Sequence, residues 1–289
     1  MDQPFSLSLG LEDTHVLITG GNGLIGRRVV AAFLAAGSKV SIIDLPSTCT
    51  APDINPSRAE FHPADITDAA ALDAAFSKAE AIFGPVECCL AIASIDLSSL
   101  PQTESICDAD PEVWRKVFDV NIHGTFLTAQ RWLRGIRTAV ADEEKRSKLR
   151  NASLILMGSE AGRFGVRTMP AYAAGKAAVQ YGLLASLAKD VPKVWLRARV
   201  NCVAPGTVAT ERFREECERF GRQWQWEESE AAVGLARPVP IDDVARTFLF
   251  LASERYSGST HGQLLHVDSG KMGTLQWLPE DLAARQQAA

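Results

Sequence analysis

The chain has 289 residues, of which 46% are hydrophobic and 22% are charged, and its formal net charge is −5. This is the composition of a soluble globular protein that can bury a core on both faces of a sheet. The negative balance argues against nucleic acid or an anionic membrane as a partner, because each needs a basic face. No stretch reaches the roughly 18 apolar residues of a membrane span, and no secretory signal precedes the first strand, so we expect a cytoplasmic protein.

In chain order, strands are predicted at residues 15–19, 39–44, 61–66, 86–94, 153–158, 195–204 and 264–267. Helices are predicted at residues 24–36, 67–78, 172–189 and 241–252. Strands that are apolar on both faces and separated by helices indicate a parallel sheet covered on both sides. The predicted fold class is therefore α/β, a doubly wound parallel sheet of the Rossmann type in three α/β/α layers.

No linker is long enough to divide the chain, so we expect a single domain over residues 1–289. The charged run at residues 141–150 is predicted to be a solvated extension between a helix and a strand.

The cysteines are spread along the chain without a CxxC pair or a cysteine–histidine cluster of metal-ligand spacing. We therefore expect reduced thiols and no bound metal. The cysteines are Cys49, Cys88, Cys89, Cys107, Cys202 and Cys217.

A glycine-rich segment with the sequence TGGNGLIG, residues 19–26, lies between the first strand and the first helix. Glycines allow a tight turn and a close approach to a pyrophosphate, and the helix N-terminus offers free N–H groups to the phosphates. This context favours a dinucleotide site over a structural turn. The residues predicted to bind the cofactor here are Gly20, Asn22, Gly23, Leu24, Ile25 and Gly26.

Asp44 ends the second predicted strand, 18 residues after Gly26. An acidic side chain at this distance binds the adenosine ribose hydroxyls and repels a 2′-phosphate, which favours NAD over NADP. Arg27 and Arg28 could offer positive charge to the 2′-phosphate of NADP. They lie inside the predicted helix, so we give them less weight as phosphate contacts. The alternative for Asp44 is an ordinary turn before Pro46.

Tyr172 and Lys176 open a predicted helix, and their spacing of four places both side chains on one face. A neighbouring ammonium favours a phenolate, so we expect a lowered pKa for Tyr172 and a role in proton transfer. Ser159 ends a predicted strand 13 residues before Tyr172, at the sheet edge where ligands bind. The alternative for Tyr172 and Lys176 is an ordinary surface pair, and the alternative for Ser159 is a serine that forms a turn at the end of the strand.

Taken in order, these motifs resemble the short-chain dehydrogenase/reductase family over about residues 14–272. Ser159, Tyr172 and Lys176 match the family triad in order and spacing. Asn121, within FDVNIHG, matches the asparagine that completes a tetrad through a bound water. The segment at residues 201–210, NCVAPGTVAT, matches the part of the family that frames the nicotinamide.

The resemblance implies a role for each matched residue. Tyr172 is the general acid or base, Lys176 binds the nicotinamide ribose and tunes the tyrosine, and Ser159 orients the substrate oxygen. Asn121 supports a proton relay to solvent. The family commonly forms dimers and tetramers through the helices that bear Asn121 and Tyr172, so we expect a homodimer or homotetramer. The further cofactor contacts implied are Asp65, Ile66, Ala93, Tyr172, Lys176, Pro205, Gly206, Val208 and Thr210.

Three features depart from the family pattern. The glycines follow T-G-x-x-G-x-x-G rather than the short branch's T-G-x-x-x-G-x-G, which puts Leu24 at the middle-glycine position. This spacing resembles the longer branch, which includes epimerases and dehydratases. The usual N-N-A-G after the fourth strand reads AIAS, ending at Ser94, and the stretch before Ser159 is longer than the family norm.

Residues 207–237 are predicted to form a substrate lid. Its aromatic side chains either cover a bulky hydrophobic substrate or pack a helix pair against the core. The predicted substrate contacts are Ser159, Phe164, Tyr172 and Trp224.

The predicted function is NAD-dependent interconversion of a secondary alcohol and a ketone, with a small molecule as the partner. One alternative is a lyase or isomerase that retains its cofactor, which predicts no net change in NADH. Another is a dinucleotide-binding protein without catalysis.

Overall fold

A computed structural model describes residues 5–48 and 57–286. Its centre is a seven-stranded sheet in the order β3-β2-β1-β4-β5-β6-β7, in which every neighbouring pair is parallel. The order reverses between β1 and β4, which opens a crevice at the carboxyl ends of these strands. The strands are β1 His15–Thr19, β2 Lys39–Asp44, β3 Ala59–Pro63, β4 Cys88–Ala91, β5 Ser153–Met157, β6 Arg199–Pro205 and β7 Leu264–Val267.

Helices connect the strands and lie on both faces of the sheet. Two π-helical turns, Asp119–Gly124 and Ala178–Leu183, join α3 to α4 and α7 to α8. The helices are α1 Leu24–Ala35, α2 Ala69–Phe83, α3 Pro111–Phe118, α4 Thr125–Ala141, α5 Glu143–Lys148, α6 Ala161–Phe164, α7 Pro170–Ala177, α8 Leu184–Val194, α9 Glu211–Ser229, α10 Ile241–Ala252, α11 Glu254–Ser257 and α12 Pro279–Gln286.

Two apolar cores lie on opposite faces of the sheet. Trp132 of α4 packs in one core with Leu154 of β5. Phe33 of α1 and Phe248 of α10 pack in the other core with Ile155. Leu154 and Ile155 are adjacent on one strand and therefore point to opposite faces. The predicted doubly wound sheet in three α/β/α layers is confirmed.

The predicted elements are confirmed with shifts at some ends. β1, β2, β7 and α10 have the predicted bounds. β3 lies earlier than predicted, and β6 begins only at Arg199 because a turn occupies residues 196–197. The helix predicted at 172–189 begins at Pro170, a residue suited to a first helical turn, and continues through the π-helical turn to Val194.

The charged run at residues 141–150 lies on the surface, as predicted. It ends α4 and forms α5, where the Asp142 carboxylate accepts the N–H of Lys145 in the first turn. Because the run leads into the amino end of β5, it lies at the opposite edge of the sheet from the crevice.

Within residues 5–48 and 57–286, no helix is both long and apolar enough to cross a membrane. The same ranges hold no group of three or more side chains that could bind a metal ion. Cys49 lies outside the described residues, and the five described cysteines are free, namely Cys88, Cys89, Cys107, Cys202 and Cys217.

Candidate active site

The β1–α1 loop forms a tight cradle at the crevice. Gly20 has a φ of 72°, which favours glycine, and a Cβ atom there would lie 2.6 Å from the Cα of Ala93. A Cβ atom on Gly26 would overlap the carbonyl oxygen of Gly20. The loop therefore needs both glycines to turn back on itself and to pass close to the segment after β4.

The N-terminus of α1 opens from this cradle. Its N-cap residue is Gly23, which has no side chain to cap the helix, and the first turn contains no acidic residue. The amides of Leu24, Ile25 and Gly26 belong to the first helical turn, where N–H groups have no partner within the helix. A bare N-terminus of this kind carries partial positive charge and fits a diphosphate. Leu24, at the middle-glycine position, is the first residue of the helix.

Asp44 stands at the carboxyl end of β2, beside the cradle. Its Oδ2 atom accepts the N–H of Asn22 at 2.9 Å, and its Oδ1 atom accepts the N–H of Leu45 at 2.8 Å. The carboxylate thus connects the glycine loop to the neighbouring strand end. Arg28, the other candidate for a phosphate contact, is paired with Asp242 of α10 at 2.9 Å between Nη2 and Oδ2.

Asp65, Ile66 and Ala93 follow the carboxyl ends of β3 and β4, at the same edge of the sheet. The Oδ1 atom of Asp65 accepts bonds from both the amide and the hydroxyl of Thr67, each at 2.8 Å. Ile66 is buried, and a Cβ atom on Gly124 would lie 2.5 Å from its Cδ1 atom. Asp65 therefore shapes the turn that precedes α2, and the N-cap of that helix is Asp68.

The segment after β6 borders the other side of the crevice. Pro205 is the last residue of β6, and a Cβ atom on Gly206 would lie 2.8 Å from Oε2 of Glu160. Val208 forms an isolated bridge with Val239. Thr210 is the N-cap residue of α9, where its hydroxyl accepts a bond from an amide in the first turn.

The four proposed catalytic side chains are all buried beside the crevice. Tyr172 and Lys176 lie on α7, Ser159 follows the carboxyl end of β5, and Asn121 lies in the π-helical turn between α3 and α4. The Ser159 hydroxyl is close enough to the Tyr172 phenol to lower its pKa, and Nζ of Lys176 lies 5.6 Å from the centre of the Tyr172 ring. Ser159, Tyr172 and Lys176 are thus brought together.

The Lys176 ammonium is bonded to main chain and side chain at the ends of two strands. Its Nζ atom donates to the carbonyl oxygen of Met157 at 3.1 Å and to the hydroxyl of Ser94 at 3.3 Å. Burial disfavours the charged form and lowers the pKa of Lys176 from 10.5 to about 8. The residue is therefore poised to lose its charge in mildly alkaline solution.

Asn121 is held by the loop that follows β4. Its Oδ1 atom accepts the N–H of Ile95 at 2.7 Å, and its Nδ2 atom donates to the carbonyl of Ile95 at 3.1 Å. A π-helical turn, which often marks functional positions, presents the side chain in this way. Asn121 fixes the loop that carries Ser94, because both hydrogen bonds of its side-chain amide go to the main chain of Ile95.

The expectation of a lowered pKa for Tyr172 is wrong. Burial raises the pKa of its phenol above the ordinary value, and the carboxylate of Asp96 adds to the increase. The Ser159 hydroxyl acts in the opposite direction, and Glu160 adds a smaller increase. The protein by itself therefore favours the neutral form of Tyr172, which can donate a proton.

Ser94, Asp96 and Glu160 contact the site or influence its charge, and none was assigned a role from the sequence. Glu160 follows Ser159 and is largely buried, and this burial raises the pKa of its carboxyl from 4.5 to about 7. Its nearest cation is Lys271, with 3.7 Å between Nζ and Oε1. Among these three residues, the sequence singled out Ser94, because it stands where the family pattern has a glycine. No motif marks Asp96 or Glu160.

The proposed lid contains α9, which kinks at Gly221 where φ is 83°. Trp224 packs against Phe213 and Phe220, with ring centroids 5.8 Å and 5.4 Å apart. The aromatic residues thus contact one another inside the lid. Phe164 ends α6, and a Cβ atom on Gly273 would lie 2.9 Å from its ring.

Arg212 connects the lid to the loop after β4. Its Nη1 atom donates to the Ser98 hydroxyl at 2.7 Å and lies 3.5 Å from Oδ2 of Asp96. Asp96 is also the acidic group that raises the pKa of Tyr172 most, so this contact involves a residue that acts on the proposed acid.

Comparison with known proteins reveals similarity over nearly the whole chain. A family model described as enoyl-(acyl carrier protein) reductase matches residues 22–271. The chain is 29% identical to 2-(S)-hydroxypropyl-CoM dehydrogenase 3 of Xanthobacter autotrophicus, over 91% of this chain and 98% of the relative. It is 32% identical to the 3-oxoacyl-(acyl-carrier-protein) reductase MabA of Mycobacterium bovis, over 88% and 91% of the two chains. It is 29% identical to sorbose reductase sou1 of Schizosaccharomyces pombe, over 90% and 96%.

Proposed function

We propose, from the premise that the chain belongs to the short-chain dehydrogenase/reductase family of nicotinamide-dependent oxidoreductases, that it interconverts a secondary alcohol and a ketone with NAD. The observation that carries this proposal is the convergence of Ser159, Tyr172 and Lys176 at one edge of the sheet. A buried phenol next to a hydroxyl and an ammonium is suited to proton exchange with a substrate oxygen.

In the proposed reaction, Ser159 and Tyr172 hold the substrate oxygen between their hydroxyl groups. Tyr172, neutral because of its burial, donates its proton to a ketone oxygen during reduction. The bound cofactor supplies or accepts the hydride. In the reverse direction the phenolate of Tyr172, stabilised by the ammonium of Lys176, takes the proton of the alcohol and becomes the neutral phenol. Asn121 supports the exchange of this proton with solvent by holding the loop after β4.

The preference for NAD over NADP is supported by Asp44. Its carboxylate is held by the amides of Asn22 and Leu45 at the place where the adenosine ribose is expected. A negative charge in this position repels a 2′-phosphate. Arg28, which could offset that charge, is occupied by Asp242.

The proposed substrate is bulky and hydrophobic, with Phe164 and Trp224 at its boundary and residues 207–237 as its cover. The half-buried Trp224 and the contact of Arg212 with the opposite loop support this lid. The names of the three relatives refer to different substrates, and each relative is a dehydrogenase or a reductase. We further propose that the whole chain acts as one domain in the cytoplasm.

A homodimer or homotetramer is part of the same proposal. The helical path through α3 and α4 exposes Trp114 by 40% and Phe126 by 41%, and the path through α7 and α8 exposes Tyr181 by 49%. Exposed aromatic side chains on two neighbouring helices are typical of surfaces between subunits.

The test is NADH absorbance during turnover of a panel of bulky alcohols and ketones. We expect turnover with the wild type and a loss of about 100-fold or more with Tyr172→Phe. Tyr181→Phe removes a hydroxyl from an exposed tyrosine of the same helical path and serves as the control. Product formation without a net change in NADH would identify a lyase or isomerase instead. Tight NAD binding without any product would identify a binding protein.

A further inference from the structure

Two main-chain groups at the end of β5 lie past the last residue of β5 that pairs with β4. The pairing of β4 with β5 stops at Ala91 and Leu156. On the other side of β5, the amides of Gly158 and Glu160 still bond to β6, at 2.7 Å and 2.9 Å. Because main-chain groups alternate between the two sides of a strand, the carbonyl of Met157 and the amide of Ser159 point towards the side that β4 has left.

Side chains from one helical path take the place of the missing strand. Lys176 donates to the Met157 carbonyl at 3.1 Å. Gln180, four residues later in the π-helical turn, accepts the Ser159 amide with its Oε1 atom at 3.0 Å. A spacing of four keeps Tyr172, Lys176 and Gln180 on one face. The helical segment that bears Tyr172 therefore also holds the main chain of Ser159, through Gln180.

The Gln180 amide is enclosed on both sides. The residue is 2% exposed. A Cβ atom on Gly158 would lie 2.6 Å from its Oε1 atom, and a Cβ atom on Gly162 would lie 2.6 Å from its Nε2 atom. Within the described residues, Nε2 has no hydrogen-bond partner. A buried donor without a partner destabilises a fold, so stability alone does not favour an amide at this position.

We propose that Gln180 is a positioning residue for Ser159. Its Oε1 atom fixes the distance between the end of β5 and the π-helical turn that continues α7, and this sets the Ser159 hydroxyl beside the Tyr172 phenol. The proposal rests on the proposed function for its effect on turnover, whereas its effect on the Ser159 main chain does not depend on any substrate.

The test compares Gln180→Met, which keeps the shape of the side chain and removes the acceptor, in the wild type and in Ser159→Ala. We expect kcat to fall about 10- to 100-fold in the wild-type background, because small displacements of a catalytic group have effects of this size. We expect less than a twofold further loss in the Ser159→Ala background, and NADH affinity within twofold of the wild type. Gln263→Met, at an exposed glutamine before β7, is the control for the substitution type.

Equal losses of kcat in both backgrounds would show a general structural role and would overturn the proposal, as would an unchanged kcat in the wild-type background. If Gln180→Met does not fold, Gln180→Asn keeps the amide and withdraws its oxygen by one methylene, and the same pattern is expected.

Hydrogen–deuterium exchange of the peptide that covers Ser159 separates this proposal from the proposed function. The Ser159 amide is expected to exchange at least tenfold faster in Gln180→Met than in the wild type. Faster exchange without wild-type turnover would support the positioning role while the proposed reaction fails. Unchanged exchange would overturn the positioning role whatever the turnover.

Discussion

The ammonium of Lys176 lies 3.3 Å from the hydroxyl oxygen of Ser94. The family pattern has a glycine at the position of Ser94, so this bond adds an acceptor next to the residue that tunes the proposed acid. Burial already lowers the pKa of Lys176 to about 8. Each hydrogen-bond acceptor of the ammonium stabilises its charged form and therefore raises the pKa of Lys176.

Ser94→Gly is expected to lower the pKa of Lys176 further, because the charged form loses a hydrogen bond. The decline of kcat/KM at alkaline pH should then begin about 0.5–1 pH unit earlier than in the wild type, given that such a bond contributes about 1 kcal/mol. A pH profile of ketone reduction measures the shift. Ser94→Thr keeps the hydroxyl and should keep the wild-type profile. Identical profiles for Ser94→Gly and the wild type would contradict the expectation.

Asp44→Asn is expected to weaken the preference for NAD. The neutral side chain keeps an acceptor for the loop amides and no longer repels a 2′-phosphate, so the ratio of the Kd values for NADPH and NADH should fall by about tenfold or more. Fluorescence titration with both reduced cofactors gives this ratio. Asp73→Asn, at an exposed acidic residue on α2, is the control. An unchanged ratio would show that Asp44 serves only as a turn residue.

Arg212→Gln is expected to loosen the lid with a modest effect. Both side chains of the Arg212–Asp96 ion pair are exposed, at 43% for Arg212 and 56% for Asp96. Exposed ion pairs of this kind contribute less than about 1 kcal/mol to stability. The KM for the substrate should therefore rise at most about fivefold, and α9 should exchange its amide hydrogens faster. Arg197→Gln, which removes an ion pair with Glu254, is the control. A decrease in KM would show that the contact hinders substrate entry.

Glu160→Gln is expected to stabilise the protein at pH 8. The folded state raises the pKa of this carboxyl from 4.5 to about 7, so the native protein binds its proton more tightly than the unfolded chain does. The contribution of Glu160 to stability is therefore fully present below pH 4.5 and is lost as the pH rises through about 7.

Removing the ionisable group should raise the free energy of unfolding at pH 8 by about 1–3 kcal/mol, with little difference near pH 4.5. Thermal unfolding at both values measures this, and a Tm increase of a few degrees is expected. Glu143→Gln alters an exposed carboxylate and should have no comparable effect. Destabilisation at pH 8 would mean that the ion pair with Lys271 outweighs the cost of burial.

Local patterns were sufficient for the elements whose apolar period is strong. β1, β2, β7 and α10 have their predicted bounds, and apolar residues dominate each of these elements. β6 was predicted four residues too early, since Trp195 and Leu196 extend the apolar pattern although Leu196 lies in the turn that precedes the strand. Hydrophobicity alone does not distinguish an exposed turn residue from a strand residue.

Sequence by itself determined the fold class, the glycine loop before α1 and the order of Ser159, Tyr172 and Lys176, because these features depend on spacing along the chain. Tertiary structure alone decided how the side chains meet. Ser94 lies 82 residues from Lys176, and Ser159 lies 21 residues from Gln180. The raised pKa of Tyr172 likewise depends on burial, which is a property of the packed protein. Spacing within one helix is a local quantity, whereas burial and the contacts between distant segments arise only when the sheet brings its strand ends together.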